Sequence, residues 1–268
     1  MDYTVIGGDM RSVLLSGLLR GDGSGVRCLM LDNAPLPEGV LSGGSVRGCA
    51  VLPVPVGNAA GYLNAPFSEQ KLPLSELPEL LQSAERVIGG MIPPALTEAL
   101  ASRGIPVTDI MSCPDFIAAN AELTAEAALS LVSTRLELSL SDASILIVGW
   151  GRIGRFLSKK LRALGSEISV MSKSVDNRAF VRALGMEALC PEDSSLSRFD
   201  AVVNTAPARV PAHPEALRRD CLVLELASER GFTPEAHENY IAAPGLPGRY
   251  APLSAARLIY RTVKEVVG

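Results

Sequence analysis

Gly149, Gly151 and Gly154 lie within "SILIVGWGRIGRFLSKKLRALGSEISVMSKS" (residues 144–174) at G-x-G-x-x-G spacing. They follow an apolar run and open an amphipathic one, and in that setting they point to binding of a dinucleotide diphosphate. The first glycine permits a tight turn, the second lets phosphate approach the backbone, and the third lets helix and strand pack closely. Trp150, Arg152 and Ile153 complete the turn, whose free N–H groups and helix dipole would face the phosphates. Ile153, Phe156, Leu157, Leu161 and Leu164 line one side of the helix, and Gly165 stops it. The next strand ends in Ser172, Lys173 and Ser174, 23 residues after Gly149 at the first of them. An NAD site offers an acid there to the ribose hydroxyls. Two hydroxyls and a cation would instead bind a 2′-phosphate, which predicts NADP.

Three later strands end in small or stiff residues: Asn204, Thr205, Ala206 and Pro207; then Ala227 and Ser228; then Pro244, Gly245 and Leu246. Together they predict a floor that a flat nicotinamide can approach. In the first part of the chain Gly7 and Gly8 form a β–α turn without dinucleotide spacing. Asp9 and Arg11 follow, either as a structural ion pair or with Arg11 gripping a substrate carboxylate. Asn120, Thr124 and Glu126 are expected at the start of a long helix, where free N–H groups suit an anion or the side chains cap the helix. Neither His213 nor His237 sits at a strand end, so the His–carboxylate pair typical of 2-hydroxy-acid dehydrogenases is missing. No Ser-His-Asp order or metal motif occurs. Hydride transfer, with the cofactor doing the hard chemistry, fits a chain so poor in suitable titratable groups.

Positioning such residues takes two domains, which 268 residues can supply. Short apolar runs alternate with helical patterns: "YTVIGG", Met10–Leu19, "VRCLML", "GCAVLPVPV", "RVIGG", Pro94–Ser102 and "IPVTDI". The stretch 57–78 reads as an excursion loop. After "NAELTAEAALSLVSTRLELSL", read as a helix, the alternation resumes with "SILIVG", "EISVM", "AVVNTA", "CLVLEL" and "YIAA". Helices are expected near 152–164, 177–184, 214–217 and 255–267. The fold class is α/β: two doubly wound Rossmann-like domains with mainly parallel sheets, joined by a long connecting helix, with a C-terminal helix crossing back. The boundaries are 1–120 for a substrate domain, 121–140 for the connecting helix, 141–252 for the NADP domain and 253–268 for the returning helix. Net charge is −4 with no dense basic run, which speaks against nucleic acid, and no apolar run is long enough for a membrane helix. Five scattered cysteines without C-x-x-C spacing read as reduced thiols of a cytoplasmic protein, and no metal site is expected.

"VIGGDMR", "VLPV", "NAELTAE", "VGWGRIG", "NTAPA", "LELAS" and "APGLPGRYAP" resemble, in order and over nearly the whole chain, the family of dipicolinate synthase A subunits. The resemblance implies NADP-dependent formation of pyridine-2,6-dicarboxylate in the mother cell of a sporulating bacterium. The substrate would be dihydrodipicolinate, or its hydrated tetrahydro form, at a branch of the lysine pathway. A flavoprotein-like second component, the B subunit, would accompany it, and a homo-oligomer stays open. Two departures stand out: "LASERGF" replaces the family's "LASRPGG" near Ser228, and the ends are trimmed. For a dianionic substrate in a gap between lobes, Arg11, Asn120 and Thr124 would face Ser228 and the Gly245 loop, with Glu126 or Asp9 taking the proton. Two other readings are a non-catalytic NADP-binding subunit that positions a flavoprotein, and a dehydrogenase of another carboxylic acid.

Overall fold

A computed structural model describes residues 1–207, 209–227 and 230–268. The chain divides into two units, Met1–Asn120 with Ala251–Gly268, and Ala121–Tyr250. Each holds one sheet of six strands in which every pairing is parallel, as the α/β reading requires.

The first unit runs β1 (Asp2–Ile6), α1 (Met10–Gly21), β2 (Gly25–Leu29), β3 (Leu41–Ser42), β4 (Cys49–Val51), α2 (Leu77–Leu80), β5 (Arg86–Gly89), α3 (Pro94–Ala101) and β6 (Val107–Asp109). Its strand order is β3-β2-β1-β4-β5-β6. The chain steps outward from β1 and then returns to the other side of it. That reversal opens a crevice at the carboxyl ends of β1 and β4, where open α/β sheets take ligands. On one sheet face Ile6, Ala50 and Val87 pack with Leu77, Leu81, Leu96 and Leu100.

A long helix, α4 (Pro114–Arg135), leads into the second unit. There follow β7 (Ser144–Val148), α5 (Arg152–Ala163), β8 (Glu167–Met171), α6 (Val175–Ala183), β9 (Glu187–Leu189), β10 (Ala201–Asn204), β11 (Leu222–Glu225), β12 (Asn239–Ala242) and α7 (Leu246–Tyr250). The order β12-β11-β10-β7-β8-β9 places its reversal between β7 and β10. Val148 pairs with Asn204, so Gly149 and Thr205 leave the sheet side by side. Ile145, Ile147, Val203 and Leu224 pack with Leu157, Leu161 and Val132 on one face; Leu146, Val148, Val202 and Val223 pack with Phe199 and Phe232 on the other. Burial on both faces explains why these strands read as unbroken apolar runs. The last helix, α8 (Pro252–Val267), packs along α1 in the first unit, and Lys264 Nζ lies 2.5 Å from Asp22 Oδ2.

Several elements differ from their predicted spans. The connecting helix starts at Pro114 and ends at Arg135, rather than covering 121–140. Proline suits the first helical position because its missing N–H would have no partner there. "GCAVLPVPV" supplies only a three-residue strand, since Pro53 and Pro55 cannot donate to a ladder. Residues 214–216 form a 3₁₀ turn rather than a helix. Short β3, β9, α2 and α7 escaped the pattern because each spans too few residues to show a period.

His237 is 6% exposed and meets Phe232 edge-on with ring centroids 6.0 Å apart. Burial pushes its pKa below the usual 6.5. The unfolded chain therefore binds more protons than the folded one below that value. The stability contribution is complete above pH 6.5 and is lost as pH falls through the lowered value. Denaturant midpoints at about pH 7.5 and about pH 5.5 should show a fall that His237→Phe reduces.

Candidate active site

The turn after β7 is built for close approach. Gly149 has φ 101°, and a Cβ there would stand 2.7 Å from Thr205 Oγ1 and 3.1 Å from Ala206 N. A Cβ on Gly154 would stand 2.3 Å from Gly149 O, so only glycine lets α5 sit this close to its strand. Gly151 is different. Its backbone is extended, and an added Cβ would meet nothing within 4 Å. Gly151 is also the N-cap of α5 and provides no side-chain acceptor for the first-turn N–H groups. Open space, uncapped donors and the positive end of a 12-residue helix together fit a diphosphate. Arg152 is exposed at this end and Ile153 is half-buried. Trp150 is buried, under the Arg155 guanidinium at 5.9 Å, and its carbonyl accepts from Arg155 Nε at 3.2 Å.

Beyond β8, Ser172 is buried and its Oγ accepts from Ser174 N at 3.3 Å. Ser174 caps α6, accepting from Asn177 N at 3.2 Å. Lys173 is exposed and makes no ion pair among the described residues. Arg178, which the sequence reading overlooked, donates through Nη1 to Ser172 O at 2.6 Å and to Lys173 O at 2.9 Å. It brings a second cation to the turn, with Asp176 exposed on the same helix end. A basic residue four positions after a capping serine was the available signal.

Asn204 and Glu225 close β10 and β11, pair in register, and are 0% and 2% exposed. Asn204 Oδ1 accepts from Ala206 N at 3.1 Å, and its Nδ2 donates to Glu225 Oε1 at 2.7 Å. Glu225 Oε2 accepts from Gly231 N at 2.8 Å. Burial pushes the Glu225 carboxyl above its usual range, against the opposing pull of the Gly231 and Asn204 donors. Glu225 was absent from the expected site, although an acid inside the apolar run "LVLEL" was a visible signal. Thr205 Oγ1 donates to Val148 O at 3.0 Å, holding the β10 turn against the glycine turn. Pro207 is exposed and Ala227 half-buried beside these turns, and Ser228 lies outside the described residues. Past β12, Pro244 is exposed, Gly245 turns with φ 66°, and Leu246 points into the core, so its side chain is taken up by packing.

In the first unit the turn after β1 carries Gly7 (φ 62°) and Gly8 (φ 93°). Asp9 caps α1, its Oδ1 accepting from Arg11 N at 3.0 Å. Arg11 Nε lies 2.9 Å from Oδ1, and Nη2 reaches Oδ2 at 2.9 Å and Val54 O at 2.6 Å. The ion pair is thus present, and Arg11 Nη1 makes no hydrogen bond among the described residues. Asn120, Thr124 and Glu126 do not start a helix: α4 begins six residues before Asn120. Main-chain N–H groups at these positions belong to the helix interior, so neither anion binding by free N–H groups nor N-capping applies. Asn120 and Thr124 stand one turn apart on one face. Glu126 is exposed, two positions or about 200° further round, and is turned away from them.

The comparisons with known proteins follow this division. Residues 2–111 match the family model for the N-terminal domain of the dipicolinate synthase A subunit. Residues 110–214 match that for the NAD binding domain of D-isomer specific 2-hydroxyacid dehydrogenases. The dipicolinate synthase A subunit of Bacillus subtilis strain 168 is 22% identical over 81% of this chain and 76% of its own length. The crystal structure of the dipicolinate synthase A subunit from Bacillus halodurans is similar at TM-score 0.83, with 22% identity, covering 100% of this chain and 97% of that one. That of its Bacillus subtilis counterpart is similar at TM-score 0.80, with 19% identity, covering 100% and 95%. The resemblance drawn from the motifs is borne out, and much of the second unit is similar to a dehydrogenase-type NAD binding domain.

Proposed function

We propose that this chain, similar along its length to dipicolinate synthase A subunits, is an NADP-dependent oxidoreductase that aromatises a dihydropyridine dicarboxylate to pyridine-2,6-dicarboxylate. The observation that carries the reading is the uncapped, open Gly151 turn, in a chain whose residues 2–111 match the N-terminal domain of dipicolinate synthase A subunits. In balanced form, dihydrodipicolinate and NADP⁺ give dipicolinate, NADPH and a proton; the hydrated tetrahydro form would also lose water. When bound, the nicotinamide supplies the hydride acceptor. The chain's own groups bind and orient. N–H groups of the Gly149–Gly154 turn hold the diphosphate. The hydroxyls of Ser172 and Ser174, with Lys173 and Arg178, hold the 2′-phosphate, and the Asn204–Pro207, Ala227 and Pro244–Gly245 turns give a flat floor. Arg11 Nη1, Asn120 and Thr124 hold the substrate carboxylates. Both Asp9 oxygens are taken by Arg11, so Asp9 aims the guanidinium rather than accepting the ring proton. Aromatisation drives the step, so alignment matters more than a strong base. The setting is the cytoplasm of a sporulating mother cell.

Purified chain supplied with NADP⁺ and freshly made dihydrodipicolinate should yield dipicolinate, read by its ultraviolet absorption. Similarity to one named component of a synthase favours one second reading, a nucleotide-binding subunit that positions a flavoprotein-like B subunit. Product without a partner excludes that reading, and product only with the partner establishes it. Cofactor choice has its own test. Lys173→Glu combined with Arg178→Ala should weaken NADPH relative to NADH by about 100-fold, from loss of two charge-assisted contacts. NADH preferred by the unaltered protein would overturn the NADP assignment.

A further inference from the structure

Glu225 is a carboxyl group closed off by the fold. It is 2% exposed and makes no ion pair among the described residues. Burial raises its pKa, and the hydrogen-bond donors around it pull the other way. Ala206 N donates to Asn204 Oδ1, which fixes the amide's orientation and turns Nδ2 toward Glu225. Gly231 N donates to the other carboxylate oxygen. Both oxygens therefore act as acceptors, an arrangement suited to a carboxylate. In a doubly wound sheet the two mononucleotide halves of a dinucleotide lie over the two halves of the sheet. β10 to β12 form the half opposite the glycine turn and the Ser172–Lys173 turn, so they carry the nicotinamide end.

We infer that Glu225 is a positioning residue that biases the redox state of the cofactor. Its buried negative charge stabilises the oxidised, cationic nicotinamide relative to the reduced, neutral one. It acts beside the Asn204–Ala206 turn, which it also holds in place. The inference rests on the nicotinamide reading above and adds an electrostatic role to it. In a partly buried site, screening is too weak to erase a unit charge. A structural role alone would weaken both redox forms together, whereas a field acts on their difference.

Calorimetry with NADP⁺ and NADPH tests this. In Glu225→Gln the ratio Kd(NADP⁺)/Kd(NADPH) should rise about tenfold, the order of a unit-charge interaction at such a site. The double variant N204D/E225Q returns the charge to the same pair with its hydrogen bond reversed, and should bring the ratio back. Should Glu225→Gln not fold, N204L/E225M replaces the pair by apolar side chains and should show the same rise. An unchanged ratio in either neutral variant, with both affinities reduced alike, overturns the inference and leaves the function standing. An unaltered protein that binds neither nucleotide overturns both.

Discussion

Gly151→Val should fold as the unaltered protein does and bind NADPH at least about 30-fold more weakly, the loss of roughly 2 kcal/mol of charge-assisted contact. The two halves of that result have separate causes. Folding survives because Gly151 has φ −81° and ψ −168°, a backbone any residue adopts, and because nothing lies within 4 Å of the added Cβ. Valine is a poorer N-cap than glycine, which costs about 1 kcal/mol and a few degrees of Tm. Binding fails because the space the side chain enters is the space a diphosphate needs to reach the N–H groups of α5. Gly154→Ala is the contrast: its Cβ would lie 2.3 Å from Gly149 O, so it should lose stability and binding together. Calorimetry and thermal melts on the two variants separate the effects. Undiminished NADPH affinity in Gly151→Val would remove the nucleotide from this turn.

Arg11→Met should raise KM for the dicarboxylate, or abolish turnover, with kcat/KM reduced about 100-fold and NADPH affinity within about twofold of the unaltered protein. The guanidinium is fixed on one side by both Asp9 oxygens and by Val54 O. A planar fork held in this way leaves Nη1 with a set direction, which is how a bidentate donor is prepared for a carboxylate. Arg11→Lys restores the charge without the fork and should recover only part of the loss. The variant also strips Asp9 of its partner, so its fold must be checked by melting before the kinetics are read. Normal KM in a folded Arg11→Met protein would reduce Arg11 to the structural half of an ion pair.

What was legible in the sequence was whatever consecutive residues encode. A strand buried on both faces must be apolar throughout, a tight β–α turn needs glycine at set positions, and an amphipathic helix shows its stripe. The α/β class, both sheets, the glycine turn and the Ser172–Ser174 turn followed from these, and the order of the family motifs pointed to dipicolinate synthase. Short elements did not follow, because three or four residues carry no period. The start of α4 was misplaced by seven residues, at 121 rather than Pro114, because its apolar pattern becomes regular only from Leu123, and this altered the reading of Asn120, Thr124 and Glu126.

Tertiary structure alone decided which strand ends meet. Gly149 against Thr205, Asn204 bonded to Glu225, and Arg11 tied to Val54 join residues 21 to 56 positions apart. Such pairs depend on strand order and register, and those arise where the chain turns back to the other side of β1 and β7. A glycine announces its turn through its own backbone. A carboxylate like Glu225 shows its work only when the neighbouring strand brings an amide to it and the fold removes the water.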